Sequence, residues 1–162
     1  MGLLDRFRRD RDDAPAQPPP EPEHLRENSP AMPLAPESRR IGEQDRARIG
    51  TALEALAAED VDVDDLASIG GGLDRALARW TQEGGSDHDA IVERYGIGIG
   101  EHLARTTDLA WEVVTDSFGT DLAVAAGDFV VVPHNLVAVR WMRRETGWVP
   151  SVVGHLVTLR TR

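Results

Sequence analysis

The chain has 162 residues, 28 of them acidic and 18 basic, for a formal net charge of −10, and such a charge excludes a nonspecific nucleic-acid binder, which needs a basic face. It has no Cys, and all 18 basic residues are Arg, so disulfides, thiolate catalysis, Cys-bound zinc and lysine-amine chemistry are excluded. No apolar run approaches the roughly 18 residues of a membrane span, and the N-terminus lacks the apolar core of a secretory signal, so the expected location is the cytoplasm.

Residues 1–37 stand apart from the rest. Eight of the ten prolines lie there, with Pro18, Pro19 and Pro20 in succession. Such sequence cannot bury enough surface to order itself, so it reads as a disordered Pro-rich tail ahead of a single domain over 38–162. At its start Leu3, Leu4 and Phe7 stand against Arg6, Arg8 and Arg9, a short amphipathic segment within residues 2–9. The composition is that of an interfacial hook. Asp10, Asp12 and Asp13 cancel most of its positive charge, so any contact with an anionic membrane through Leu3, Leu4 and Phe7 is expected to be weak.

Three helices are expected next. Over 43–59, Ile49, Leu53, Leu56 and Ala57 share a face. Over 64–82, Leu66, Ile69, Leu73, Leu77 and Trp80 recur at steps of three and four, with Asp62 as the expected cap. Gly70-Gly71-Gly72 interrupts that pattern, so the helix either breaks there or lets another backbone approach. Ser86-Asp87-His88-Asp89 caps a third helix over 87–105.

The stretch 109–133 holds three short apolar runs separated by Asp/Gly turns. Trp111, Val113 and Thr115 alternate with Glu112, Val114 and Asp116, which is strand periodicity. Asp116 and Gly119 supply one turn and Gly127-Asp128 another. Short connections favour an antiparallel meander. The third run, Phe129 to Val132, is apolar on both faces and is expected to be the central or best-covered strand; Pro133 ends it. A helix over 135–145 follows, and the run 151–159 fits a helix slightly better than a strand. The expected class is α+β: N-terminal helices on a small three-stranded antiparallel meander, then two C-terminal helices.

Gly96-Ile97-Gly98-Ile99-Gly100 imitates a dinucleotide fingerprint. Glu101 stands where the third Gly belongs and would repel phosphate, and the surroundings do not make a βαβ unit, so the glycines read as a helix face packed closely by another element. His88, His102, His134 and His155 show no ligand spacing, and no metal or cofactor site is expected. Glu112, Asp116 and Asp121 could gather as acid/base carboxylates, although Asp at a turn is ordinary turn chemistry. Arg140, between apolar Val139 and Trp141, is expected to be partly buried and to bond a carboxylate or carbonyl of the strand turns.

The series Tyr95-Gly96-Ile97-Gly98-Ile99-Gly100-Glu101, Trp111-Glu112-Val113-Val114, Asp116, Gly119, Asp121-Leu122-Ala123, Pro133 and Arg140 resembles the bacterial domain of unknown function family DUF3806, over roughly residues 43–160. Trp141 departs from the family pattern in its bulk. The resemblance implies an α+β fold and no reaction. Trp111, Asp116, Gly119, Asp121, Pro133 and Arg140 are its candidate structural or interaction residues. The leading functional reading is a non-enzymatic protein-interaction module on a flexible tail. The alternatives are an enzyme with an acid/base site near Asp116, Asp121 and Arg140, and a peripheral membrane adapter acting through residues 2–9.

Overall fold

The computed structural model describes residues 37–85, 87–117 and 119–161. The expected tail up to residue 36, with Leu3, Leu4 and Phe7, lies outside the described residues, as do Ser86 of the expected cap, Phe118 of the turn, and Arg162. In chain order come β1 (Glu37–Arg40), α1 (Glu43–Ala58), α2 (Leu66–Glu83), α3 (His88–Thr106), β2 (Ala110–Asp116), β3 (Gly119–Ala126), β4 (Phe129–Val131), α4 (Pro133–Met142) and α5 (Val149–Arg160). The class is α+β.

The sheet is antiparallel throughout, in the order β1-β2-β3-β4. It has one strand more than the expected meander. β1 is short and exposed at all four residues, and joins the sheet by pairing with β2. The register sets Trp111 opposite Val124 and Val113 opposite Leu122, so these four share the core face of the sheet.

The third apolar run is not central. β4 is a three-residue edge strand whose Val130 is exposed. The covered strand is β3, buried from Leu122 to Ala125 because β2 and β4 flank it. Pro133 does close the third run, and it is also the first residue of α4.

α2 runs unbroken through its three glycines, and at Gly70 and Gly72 neighbouring elements fill the space a side chain would take. A Cβ on Gly70 would meet Val149 and Pro150 of α5 at 3.4 Å. The cap of α2 is Asp65, which accepts from Ala67 N at 2.9 Å, and not Asp62. Asp62 instead accepts from Asp64 N at 2.9 Å and shapes the preceding turn. α1 closes with Asp60 at φ 56°, where Val61 N donates to Leu56 O at 3.0 Å and satisfies a terminal carbonyl. The run at 151–159 is helical.

α3 is the hub. It packs against α1, α2, α4, α5, β2 and β3. Val92, Tyr95, each residue from Gly96 to Gly100, His102 and Leu103 are buried on it. His102 donates from Nδ1 to Val63 O at 2.8 Å, which gives this buried imidazole its partner. Two further ties hold the C-terminal helices. Gly147 N donates to the Asp74 carboxylate at 3.1 Å, and the Arg160 guanidinium grips Asp108 while lying 5.1 Å from the Phe129 ring.

The glycines of α2 yield a paired prediction. A Cβ on Gly71 meets only the tip of the flexible Arg75 side chain, at 3.4 Å, whereas one on Gly72 would stand 2.7 Å from Val61 Cγ2 and 2.8 Å from the Tyr95 hydroxyl. Gly71→Ala should therefore stabilise the fold by about 1 kcal/mol through helix propensity, and Gly72→Ala should destabilise it by about 1–3 kcal/mol through overpacking. Chemical denaturation of both variants checks this; shifts of the same sign would refute close approach as the reason for Gly72.

Candidate functional site

The residues singled out in the sequence divide into three places. The first is a packing knot around α3. A Cβ on Gly96 would lie 3.0 Å from the backbone of His134, and one on Gly100 would lie 2.2 Å from the Trp111 ring and 3.0 Å from Pro133. The Trp111 indole then donates to Glu101 Oε2 at 3.0 Å, and Arg105 donates to the other Glu101 oxygen at 2.8 Å. These residues act together because glycine on one helix face admits a tryptophan and the start of α4. Trp111, Asp121, Pro133 and His134 line one crevice of about 10 Å³, at the lower limit for a single water.

The second place is the β2–β3 turn. Asp116 accepts from Gly119 N at 3.1 Å, and Gly119 takes φ 145°, a conformation that favours glycine. The third is the end of α4. Arg140 is partly buried, as expected, but its partners are not the strand turns. It donates to Leu136 O at 3.1 Å, pairs with Glu145 at 3.7 Å and lies 4.6 Å from the centre of the Trp148 ring. The cation settles on the nearest aromatic face of the following connection, which an ammonium or guanidinium favours. Among the described residues, no three His, Asp or Glu side chains are grouped as metal ligands would be.

A different surface has the shape of a binding site. Two cavities of about 520 and 260 Å³ share Glu59, Arg79 and Tyr95 in their walls. Arg75 completes the larger; Trp80 and Arg94 complete the smaller. Glu59 comes from the end of α1, Arg75, Arg79 and Trp80 from α2, and Arg94 and Tyr95 from α3. Arg94 bonds one Glu59 oxygen, and the Tyr95 hydroxyl donates to the other at 2.9 Å. Burial, then the bond to Glu59 and its negative charge, push the Tyr95 phenol well above its ordinary range, while Arg75 and Arg94 pull slightly the other way. Trp80 packs on Trp141, ring centres 5.4 Å apart, and both indole N–H groups are buried with no hydrogen-bond partner among the described residues.

Sequence reading missed this cleft because three separate segments build it. Arg75 and Arg79 carry no sequence signal that separates them from an ordinary solvated helix face. The one available signal is Tyr95, the only tyrosine of the chain, set on an otherwise apolar helix face.

The family model described as domain of unknown function DUF3806 matches residues 75–151, a narrower span than the resemblance suggests. The match includes Arg75, Arg79, Trp80, Arg94, Tyr95 and the knot around Gly100, but not Glu59. Neither the curated proteins nor the solved structures contain a match to the chain.

Two outcomes follow from this geometry. Gly100→Ala should destabilise the fold by about 1–3 kcal/mol, since the rigid Trp111 ring cannot yield; a melting temperature equal to wild type would refute the packing account. For Tyr95, the folded phenol pKa lies above its ordinary value of 10.0, so the fold binds the proton more tightly than the unfolded chain. Its contribution is fully present below about pH 10 and is lost as pH rises beyond that. Phenolate absorbance from this sole tyrosine should thus appear together with alkaline unfolding, not in a separate step near pH 10.

Proposed function

For this chain, which belongs to the DUF3806 family over residues 75–151, we propose a non-enzymatic interaction module whose docking site is the cleft between α1, α2 and α3. One observation carries the reading: both oxygens of Glu59 are taken, one by Arg94 and one by Tyr95. A general base needs a carboxylate free to reach a substrate proton. Tyr95 is held neutral, so it does not supply a base either. The larger cavity presents the exposed Arg75 and Arg79 guanidiniums, which bind and orient, while the exposed Glu83 and Asp87 carboxylates lie in the wall of the smaller one. The reading is of a cytoplasmic protein that recognises another protein.

The test is photo-crosslinking of the full chain with a probe on the exposed face of α2. Partner crosslinks should map to the cleft and should vanish in Arg79→Glu with no change in melting temperature. Turnover on any member of a broad substrate panel, abolished by Glu59→Gln in a variant that still folds, would overturn the proposal.

A further inference from the structure

The cleft reading can be taken to a ligand class. Arg75 and Arg79 stand one helical turn apart on α2, about 6 Å along the axis. Both are exposed, and neither has an ion-pair partner among the described residues. In the walls of the larger cavity Glu59 is neutralised by Arg94, so those two guanidiniums are uncompensated in a chain of net charge −10. The adjoining cavity adds apolar wall from Ala76, Trp80 and Ile91.

We propose that this cleft binds an extended acidic peptide, with one carboxylate on Arg75, a second on Arg79, and an apolar side chain against Trp80. Guanidinium forks match carboxylates in shape, with two parallel hydrogen bonds each. Two acidic residues separated by one residue in an extended chain point the same way and lie about 6.5–7 Å apart, close to the spacing of the two arginines. A polyphosphate fits less well. Glu83 and Asp87 in the smaller cavity and the net charge of −10 oppose any anion in proportion to its charge, so two carboxylates are opposed less than a dense array of phosphates.

The experiment uses the full chain and a fluorescein-labelled peptide carrying Leu-Thr-Glu-Thr-Glu in a Ser/Gly frame, so that Leu and both acids share one face of the extended chain, followed by anisotropy. Binding should weaken about tenfold in Arg75→Ala and in Arg79→Ala, the loss of one charge-assisted pair. It should also weaken when both peptide acids become Gln, and as salt rises from about 50 to about 300 mM. Melting temperatures should stay at the wild-type value, since both arginines are exposed. Equal binding by the double variant, no binding at low salt, or displacement by inorganic phosphate as effective as by unlabelled peptide would each overturn the assignment. The inference rests on the interaction-module reading, and the two fail differently. A partner crosslinked at the cleft whose contact survives loss of both arginines would sink the ligand class alone; turnover that depends on Glu59 would sink both.

Discussion

The fold depends on how closely other elements approach α3. Gly96 and Gly100 lie one turn apart and admit the start of α4 and the Trp111 ring; Gly98 lies on the opposite side and admits Leu56 of α1, whose Cδ1 would stand 2.7 Å from a Cβ there. Three interior glycines cost about 3 kcal/mol of helix propensity relative to alanine. Against that stand the burial of Leu56, Pro133 and much of Trp111, where a large apolar side chain contributes about 1.5–3 kcal/mol when fully covered. Burial outweighs propensity, which is why a helix so poor in side chains can occupy the centre.

The same approach fixes the cleft. Leu56 is fully buried against Gly98, so the last turn of α1 is set relative to α3. The left-handed Asp60 then turns the chain away, leaving Glu59 beside Arg94 and Tyr95. Gly72 clears room on α2 for the Tyr95 hydroxyl. The floor of the cleft is thus assembled by core packing, and a ligand would not have to order it. Its entropic demand falls chiefly on the side chains of Arg75 and Arg79.

Much of this was legible in the sequence where burial is periodic. The three N-terminal helices follow from apolar steps of three and four, and β2 from the alternation of Trp111, Val113 and Thr115. β1 was invisible because ESRR has no apolar face; it is held by backbone pairing to β2. β4 was misplaced because an apolar run reports burial of a stretch, not its position in a sheet; Phe129 and Val131 pack inward while Val130 faces out at the edge. The neighbours of Arg140 indicated partial burial but could not indicate Trp148 as its partner, eight residues on. The motif around Gly100 was visible as an order of residues, while the contact between its glycine and its tryptophan needed three dimensions.

Charge is where stability and function part. The acidic stretch from Glu54 to Asp65 meets arginines from elsewhere in the chain: Arg94 on Glu59 and Arg105 on Asp64. Outside that stretch, Arg160 pairs with Asp108. Pairs open to solvent contribute about 0–1 kcal/mol each, a small amount beside the apolar core. Leaving Arg75 and Arg79 without a carboxylate therefore costs the fold little. A glutamate one turn away on a helix can pair with such an arginine, as Glu101 does with Arg105 on α3. The positions one turn from Arg79 are Arg75 itself and Glu83, and Glu83 lines the smaller cavity without pairing to Arg79. Because folding gains so little from satisfying these two cations, their open state is compatible with a stable domain, and their charge stays available to a ligand that brings its own carboxylates.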